Sequence, residues 1–178
     1  DVTPEATWSA VQKEIPGLPI IAEDLGIITK DVDALKEKFG LPGMKVLLFA
    51  FHNDYRESRD LPENYTPHSV VYTGTHDNNT VRGWYENDIA PVEHKNLEEY
   101  AGRKIKTRDI AWYMVGLAMG SVAELAIIAL PDILDLGQEA RMNRPSTVEG
   151  NWLWRYASGR LDKKISLRLA RLTKKSGR

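Results

Sequence analysis

Four short apolar runs alternate along the chain with longer segments whose apolar residues recur at the spacing of an α-helix. The runs cover residues 18–22, 44–51, 69–73 and 125–130. Each is nearly free of charge, as expected for parallel strands that are buried on both faces. Because parallel strands need crossover connections, the alternation predicts an α/β sheet with right-handed crossovers. An open sheet and half of an eight-stranded barrel both satisfy this pattern.

The segments between the runs carry helix signals. Thr3 is a capping residue with Pro4 at the first helical position, and Thr29 precedes a helix that Gly40 ends. Further helices are predicted over residues 80–103, from 107 or 109 to 119, and over a basic tail at 161–175, while 52–67 and 138–155 are predicted loops. The tail is interpreted as a solvated helix that closes the domain, with an anionic partner as the alternative.

Composition excludes several classes of protein. The 178 residues include 24 Lys and Arg, 25 Asp and Glu, and no Cys. A net charge of −1 gives no positive electrostatic field that would attract a nucleic acid. The absence of Cys excludes disulfides and thiolate zinc sites. The apolar stretch 110–131 is long enough to cross a membrane, but Glu124 interrupts it and Pro131 ends it. We therefore interpret this stretch as a buried helix followed by a strand, and expect no membrane partner.

Acidic residues directly follow two of the runs, at Glu23-Asp24 and at His76-Asp77-Asn78. Because functional groups of α/β folds cluster at the carboxyl ends of strands, these acids are expected to be partly desolvated and suited to acid–base chemistry. A structural role for Glu23, capping the following turn, remains open at this point. The polar neighbours of Asp77 suit recognition of sugar hydroxyls.

Other chemistries find no support in the pattern. No paired His spacing favours a metal, no Gly-rich motif favours a nucleotide, and no Gly-x-Ser-x-Gly motif favours a serine hydrolase. Aromatic faces stack on sugar rings, but buried aromatics mostly fill cores. The aromatic candidates are Phe49, Phe51, Trp84, Tyr85, Trp152 and Trp154.

Five motifs, in order and at compatible spacing, resemble those of one enzyme family. They read IIAEDLG at 20–26, GLPGMKVL at 40–47, YTGTHDN at 72–78, ARMN at 140–143 and NWLWR at 151–155. The chain thereby resembles the 4-α-glucanotransferases, the amylomaltases or disproportionating enzymes of glycoside hydrolase family 77. The resemblance covers roughly residues 18–155 and implies transfer of α-1,4-glucan segments between maltooligosaccharide or starch chains.

The resemblance also implies a fold and site roles. The family fold is a TIM barrel, of which residues 1–160 would supply strands 5–8, with residues 161–178 as a basic helical tail. Glu23 would be the general acid/base and Asp77 the carboxylate that holds sugar hydroxyls and stabilises the transition state. His76, Phe49 and Asn143 would contact the glucan. No cofactor or metal is implied, and the location would be cytoplasmic, or plastid in a plant.

One expected part is missing from the sequence. The family's nucleophile is an Asp in a motif like Arg-Ile-Asp-His after the fourth strand, and no such motif occurs here. We expect the isolated chain to be inactive, and aggregation-prone or in need of a partner that carries the upstream half of the barrel. Pro131, Asn79 and Asp135 stand where the family commonly has Gln, Asp and Gly.

Three alternative functions remain open. The chain could be a non-catalytic glucan-binding fragment, a fragment that only completes a barrel, or part of a related α-amylase-type hydrolase that uses water as the acceptor.

Overall fold

The computed structural model describes residues 3–178, which contain a three-stranded parallel sheet in the order β1-β2-β3. The strands are β1 (Gly43–Val46), β2 (Ser69–Tyr72) and β3 (Leu125–Ile127). The helices are α1 (Pro4–Glu14), α2 (Lys30–Lys38), α3 (Val81–Gly83), α4 (Pro91–Ala101), α5 (Thr107–Gly120), α6 (Leu130–Ile133) and α7 (Lys163–Ser176). The predicted α/β class with a parallel sheet is confirmed.

The sheet has one covered face and one open face. Val71 and Ala126 pair across β2 and β3 and both contact the main hydrophobic core, which includes Ile110 and Met114 of α5. Neighbouring residues on a strand point to opposite faces. The next pair on the other face, Tyr72 and Ile127, is therefore turned away from α5.

Large apolar side chains stand on that second surface. Leu125 is 46% exposed, Ile21 is 39% exposed and Ile127 is 38% exposed. We call this surface, formed by Ile21, Met44, Tyr72, Leu125 and Ile127, the open face. A sheet that is apolar on both sides normally has both sides covered.

The predicted strand at 18–22 is wrong. Ala22 forms one isolated parallel bridge with Gly43, and its N–H donates to the carbonyl of Pro42 at 2.9 Å. Gly43 is the first residue of β1, so earlier residues would have to pair with the end of α2 and its turn. Gly40 is left-handed there and Pro42 has no N–H, so that stretch offers no ladder.

Two other predicted strands are shorter in the structure. β1 ends at Val46, opposite the end of β2 at Tyr72, and residues 47–49 form a 3-10 turn. β3 ends at Ile127, because α6 begins at Leu130 and Pro131 lies in its first turn, where a missing N–H is harmless.

The helix predicted over 80–103 is divided into two parts. α3 continues into a π-helical turn at Trp84–Asp88, and α4 then starts at Pro91. The residue before a proline is disfavoured in helical geometry, and Ala90 is extended. α4 ends at Gly102, which is left-handed.

Capping follows the sequence at α1 but not at α2. The Thr3 hydroxyl accepts the N–H of Ala6 at 3.2 Å, as predicted. Thr29 has the backbone conformation of a cap, but its side chain makes no capping hydrogen bond.

The basic tail forms α7, and one side of it packs on α5. Ile165, Leu169 and Leu172 contact the cluster formed by Trp112, Val115 and Met119. The Arg168 guanidinium lies 3.9 Å from the centroid of the Trp112 ring, within cation–π range. The side chain of Asp162 caps the helix by accepting the N–H of Ile165 at 2.9 Å.

The apolar stretch 110–131 divides into the end of α5 and then β3, as predicted. Within residues 3–178, no helix has the length and apolar character needed to span a membrane.

Candidate active site

Two adjoining clefts lie at the carboxyl edge of the sheet. The first has a volume of about 560 Å³ and borders the open face. The second, of about 810 Å³, lies against the loop after β1. Glu23 and Asp77 line both clefts, while His76 lines the first and Phe49 the second. Asn143 is joined to the group through a hydrogen bond to Asp77.

Glu23 and Asp24 are neighbours with opposite environments. The carboxylate of Asp24 is 2% exposed and accepts from Lys36 Nζ at 2.5 Å, from Arg59 Nη2 at 2.8 Å and from the N–H of Met44 at 2.7 Å. Its contact with the chain is so close that a Cβ at Gly43 would meet Asp24 Oδ2 at 2.3 Å. Asp24 is therefore a structural anchor.

Glu23, in contrast, is exposed and faces the clefts. The prediction that burial desolvates Glu23 is wrong, because no apolar element of residues 3–178 covers its side chain. The capping role left open for Glu23 has no support either, since its side chain makes none of the hydrogen bonds found among residues 3–178.

Asp77 is held in a network of polar groups. Its Oδ1 accepts from Asn143 Nδ2 at 2.6 Å and lies 3.4 Å from His76 Nε2. Arg141 donates to the carbonyl of Asp77 at 2.8 Å and to the carbonyl of Asn143 at 2.8 Å. The N–H of Asn143 donates to the carbonyl of His76 at 3.1 Å. The loop after β2 and the loop 141–143 are therefore bound into one unit.

Asp77, like Glu23, remains accessible from the clefts. The side chain of Asp77 is 50% exposed and that of His76 is 55% exposed. Asp77 Oδ2, which has no hydrogen-bond partner within residues 3–178, and the His76 ring can form the paired hydrogen bonds that adjacent sugar hydroxyls require.

Aromatic rings flank these polar groups. The Trp152 ring centroid lies 5.2 Å from that of His76, and the Phe49 ring stacks on His52 at 6.3 Å. Trp154 lines the first cleft. The backbone of Trp152 is left-handed, with φ of 62°. A left-handed Trp is uncommon and concentrates at functional sites, which fits a residue held for its ring.

The other aromatic candidates are separated from this site. Phe51 is fully buried and Trp84 is 7% exposed, and both belong to the main core. Tyr85 packs against that core, and its hydroxyl donates to the carbonyl of Ile105 at 2.8 Å.

Asp132 is a functional candidate that the sequence analysis missed. It lies in the wall of the first cleft and is 1% exposed. Its Oδ2 accepts from the Thr73 hydroxyl at 2.6 Å, and its Oδ1 accepts from the N–H of Val81 at 2.8 Å. Burial raises the pKa of Asp132 to about 6, against the lowering effect of both hydrogen bonds. The signal was available, because Asp132 closely follows the fourth apolar run just as Glu23 and Asp77 follow theirs.

Pro131 and Asn79, two of the residues that depart from the family pattern, also border the first cleft. Asn79 is buried and donates through Nδ2 to Asp88 Oδ2 at 2.9 Å, which an Asp at this position could not do while ionised. Within residues 3–178, no three His, Asp or Glu side chains converge as a potential metal site.

Comparisons with known proteins identify relatives of this chain. A 4-alpha-glucanotransferase from Thermus thermophilus is 46% identical over 171 residues, which cover 93% of this chain and 34% of that protein. The chloroplastic/amyloplastic 4-alpha-glucanotransferase of Solanum tuberosum is 45% identical over 152 residues, covering 85% of this chain and 26% of that protein.

A solved structure shows the same fold over the whole chain. The amylomaltase from Streptococcus agalactiae in complex with acarbose superposes with a TM-score of 0.90 and 32% sequence identity, covering 100% of this chain and 36% of that one. The chain thus spans about a third of the length of the relatives it matches. The sequence model of the family described as 4-alpha-glucanotransferase matches residues 2–161, so this chain belongs to the 4-alpha-glucanotransferase family.

Proposed function

We propose that these residues supply the acid/base and sugar-holding side of a retaining 4-α-glucanotransferase site. The observation that carries the proposal is that Glu23 and Asp77 line the same two clefts at the carboxyl edge of a parallel sheet. In α/β barrels that edge carries the active site. Family membership supports α-1,4-linked glucans as the substrate class.

The chemistry assigns one task to each carboxylate. Glu23, in its acid form, protonates the glycosidic oxygen as the bond to the anomeric carbon breaks, and a carboxylate nucleophile bonds to that carbon from the other face. The ionised Glu23 then removes a proton from the 4-hydroxyl of an incoming glucan, whose oxygen displaces the nucleophile. Asp77 accepts hydrogen bonds from sugar hydroxyls, and these strengthen as the ring becomes oxocarbenium-like.

His76, Phe49 and Asn143 are proposed substrate contacts. Asn143 keeps Asp77 Oδ1 occupied, which directs Oδ2 toward the sugar. His76 lines the first cleft and Phe49 the second, and Glu23 and Asp77 line both. These reactions need no metal or organic cofactor, because a carboxylic acid and a carboxylate supply the proton and the nucleophile.

The nucleophile is proposed to come from the upstream part of the family fold. In this proposal residues 1–160, of which 1 and 2 lie outside the described residues, contribute strands 5–8 of a TIM barrel, and residues 161–178 add the tail helix. Residues 18–22, which form only the Ala22–Gly43 bridge in this chain, would become strand 5 once strand 4 lies beside them. The open face would then be the inner surface of the barrel, covered by strands 1–4. Its exposed apolar residues support this assignment, because they need a partner surface.

The location follows the relatives. We propose a cytoplasmic protein, or a plastid one in a plant, in line with the name of the Solanum tuberosum relative.

The test uses a hybrid in which this chain replaces the matching segment of the Thermus thermophilus relative. Incubated with maltotriose, the hybrid is expected to convert two maltotrioses into glucose and maltopentaose, resolved by chain length. Glu23→Gln is expected to lower this rate by at least about 100-fold, since an amide cannot donate the proton. Glu14→Gln, at the exposed end of α1, is the matched control.

Near-normal transfer by the Glu23→Gln hybrid would refute the role of Glu23. Release of reducing ends without longer products would favour the hydrolase alternative. Transfer by the 178-residue chain alone would show that a nucleophile lies within it and would refute the split site.

Glucan binding without turnover by the isolated chain is the second candidate. The specific observation in its favour is that the unit of His76, Asp77, Asn143 and Trp152 is assembled entirely within this chain. Calorimetric binding of maltoheptaose by the 178-residue chain, abolished by Asp77→Asn, would support it. No binding, with activity restored by the upstream half, would favour a purely barrel-completing role.

A further inference from the structure

The loop that carries His76 and Asp77 is fastened at both ends by a single carboxylate. Thr73 lies just before this loop and Val81 just after it. The Thr73 hydroxyl donates to Asp132 Oδ2 at 2.6 Å, and the N–H of Val81 donates to Asp132 Oδ1 at 2.8 Å. The two oxygens of Asp132 therefore fix the distance between the entrance and the exit of the loop.

Asp132 is well placed to do this because its side chain is buried and both of its carboxylate oxygens accept a hydrogen bond. It belongs to the short helix α6, follows β3 and is 1% exposed. Thr73 and Val81 are fully buried and lie behind the cleft, whose wall includes Asp132. Hydrogen bonds to an acidic group in such a site are strong and directional.

The other hydrogen bonds of the loop are internal or run from its middle and its end to residues 141–143 and to Asp88. Its internal bonds run from the N–H of Thr75 to Asn78 Oδ1 at 2.8 Å and from the N–H of Asn78 to the carbonyl of Thr75 at 3.2 Å. The N–H of Asn143 reaches the carbonyl of His76 from outside the loop at 3.1 Å. These bonds shape the loop, but Asp132 joins both of its ends to β3 and α6.

We propose that Asp132 is a positioning residue that holds the 74–79 loop, and through it His76 and Asp77, in the geometry that glucan transfer requires. The effect of Asp132 on catalysis rests on the function proposed above. Asp132 does not touch the sugar in this proposal. Loss of the fastening displaces the loop, and a shift of about 1 Å in a catalytic group can reduce a rate about 100-fold.

A pair of Thr73 variants tests the proposal. Thr73→Val removes the hydroxyl with little change of shape, and Thr73→Ser retains it. Both are made in the hybrid, together with Asp132→Ala, which removes both fastenings, and Asp132→Asn, which keeps the acceptor for Val81. Hydrogen exchange is then followed at the amides of Thr75, Asn78 and Asn143, with Val71 in β2 as the internal reference.

Exchange of the loop amides is expected to rise at least about tenfold in Thr73→Val and Asp132→Ala while Val71 is unchanged. Thr73→Ser is expected to stay within about threefold of the parent and Asp132→Asn between the two groups. If Asp132→Ala does not fold, the two Thr73 variants decide. Equal loop exchange in folded Thr73→Val and Thr73→Ser overturns the proposal.

Steady-state kinetics distinguish a positioning role of Asp132 from a purely structural one. With maltotriose, Thr73→Val is expected to lower kcat at least about tenfold with KM within about threefold of the parent, and Thr73→Ser is expected to restore kcat. A kcat in Thr73→Val equal to that of Thr73→Ser overturns the positioning role. If the parent hybrid shows no transfer, the proposed function fails, and the exchange comparison still decides whether Asp132 holds the loop.

Discussion

Replacing Asp132 with Asn should change how the free energy of unfolding depends on pH. Burial raises the pKa of Asp132 from its ordinary 3.8 to about 6. Hydrogen bonds from Thr73 and Val81 act in the opposite direction, and the nearby carboxylate of Asp135 adds to the increase. Folding therefore favours the protonated acid between these two pH values.

The sign and the size follow from that shift. The contribution of the protonated Asp132 to the free energy of unfolding is fully present below pH 3.8. It declines as pH rises and is lost once pH passes about 6. A shift of about two units corresponds to about 3 kcal/mol, since one unit is worth about 1.4 kcal/mol. An Asn at position 132 cannot titrate, so the variant lacks this whole component.

The assay is urea unfolding of the hybrid and its Asp132→Asn variant at pH 4 and pH 7. Between these pH values the free energy of unfolding of the parent should fall by about 2 kcal/mol more than that of the variant, at equal m-values, because part of the stabilisation is already lost at pH 4. Asp31→Asn, an exposed residue in the first turn of α2, is the control and should follow the parent within about 0.5 kcal/mol. A difference below about 1 kcal/mol between parent and Asp132→Asn would refute the reasoning, because it would mean that the carboxyl is solvated.

Two further substitutions test other parts of the scaffold by the same urea measurement. Asp24→Ala should lower the free energy of unfolding by about 2–3 kcal/mol, because the N–H of Met44 loses its acceptor while the partly exposed Lys36 and Arg59 keep Asp33 as a partner. A loss under about 1 kcal/mol would contradict the anchor role of Asp24. Asp135→Gly should raise the free energy of unfolding by about 1 kcal/mol. Asp135 has a left-handed backbone with φ of 53°, and its buried Oδ1 has no hydrogen-bond partner within residues 3–178. A loss of stability would show that the contact of Asp135 with Arg82 outweighs this strain.

The sequence predicts the class of fold well because alternation of apolar runs and helical segments is a local signal. It predicts strand ends less well, because an end depends on what lies opposite. β1 stops at Val46 where β2 stops, and residues 18–21 fail to pair because the stretch that contains Gly40 and Pro42 lies opposite them. Neither fact can be read from the apolar run itself.

The site residues show the same division. A motif can indicate that Asp77 and Asn143 act together, yet the hydrogen bond between them joins positions 66 residues apart. The roles of Glu23 and Asp24 depend on which way each side chain points. Two adjacent acids at the end of an apolar run look alike in sequence, but one is exposed to the clefts and the other is 2% exposed.

A common arrangement explains why the buried acids matter to the exposed ones. Asp24 fixes the segment that presents Glu23, through Lys36, Arg59 and the N–H of Met44. Asp132 fixes the loop that presents Asp77. In each case a carboxylate with its hydrogen bonds satisfied inside the protein holds a carboxylate that is free to meet a ligand. Mutations of the buried Asp24 and Asp132 should therefore reduce activity by displacing the site residues. Mutations of the exposed Glu23 and Asp77 should reduce activity by removing a reacting or binding group, and should leave stability nearly unchanged.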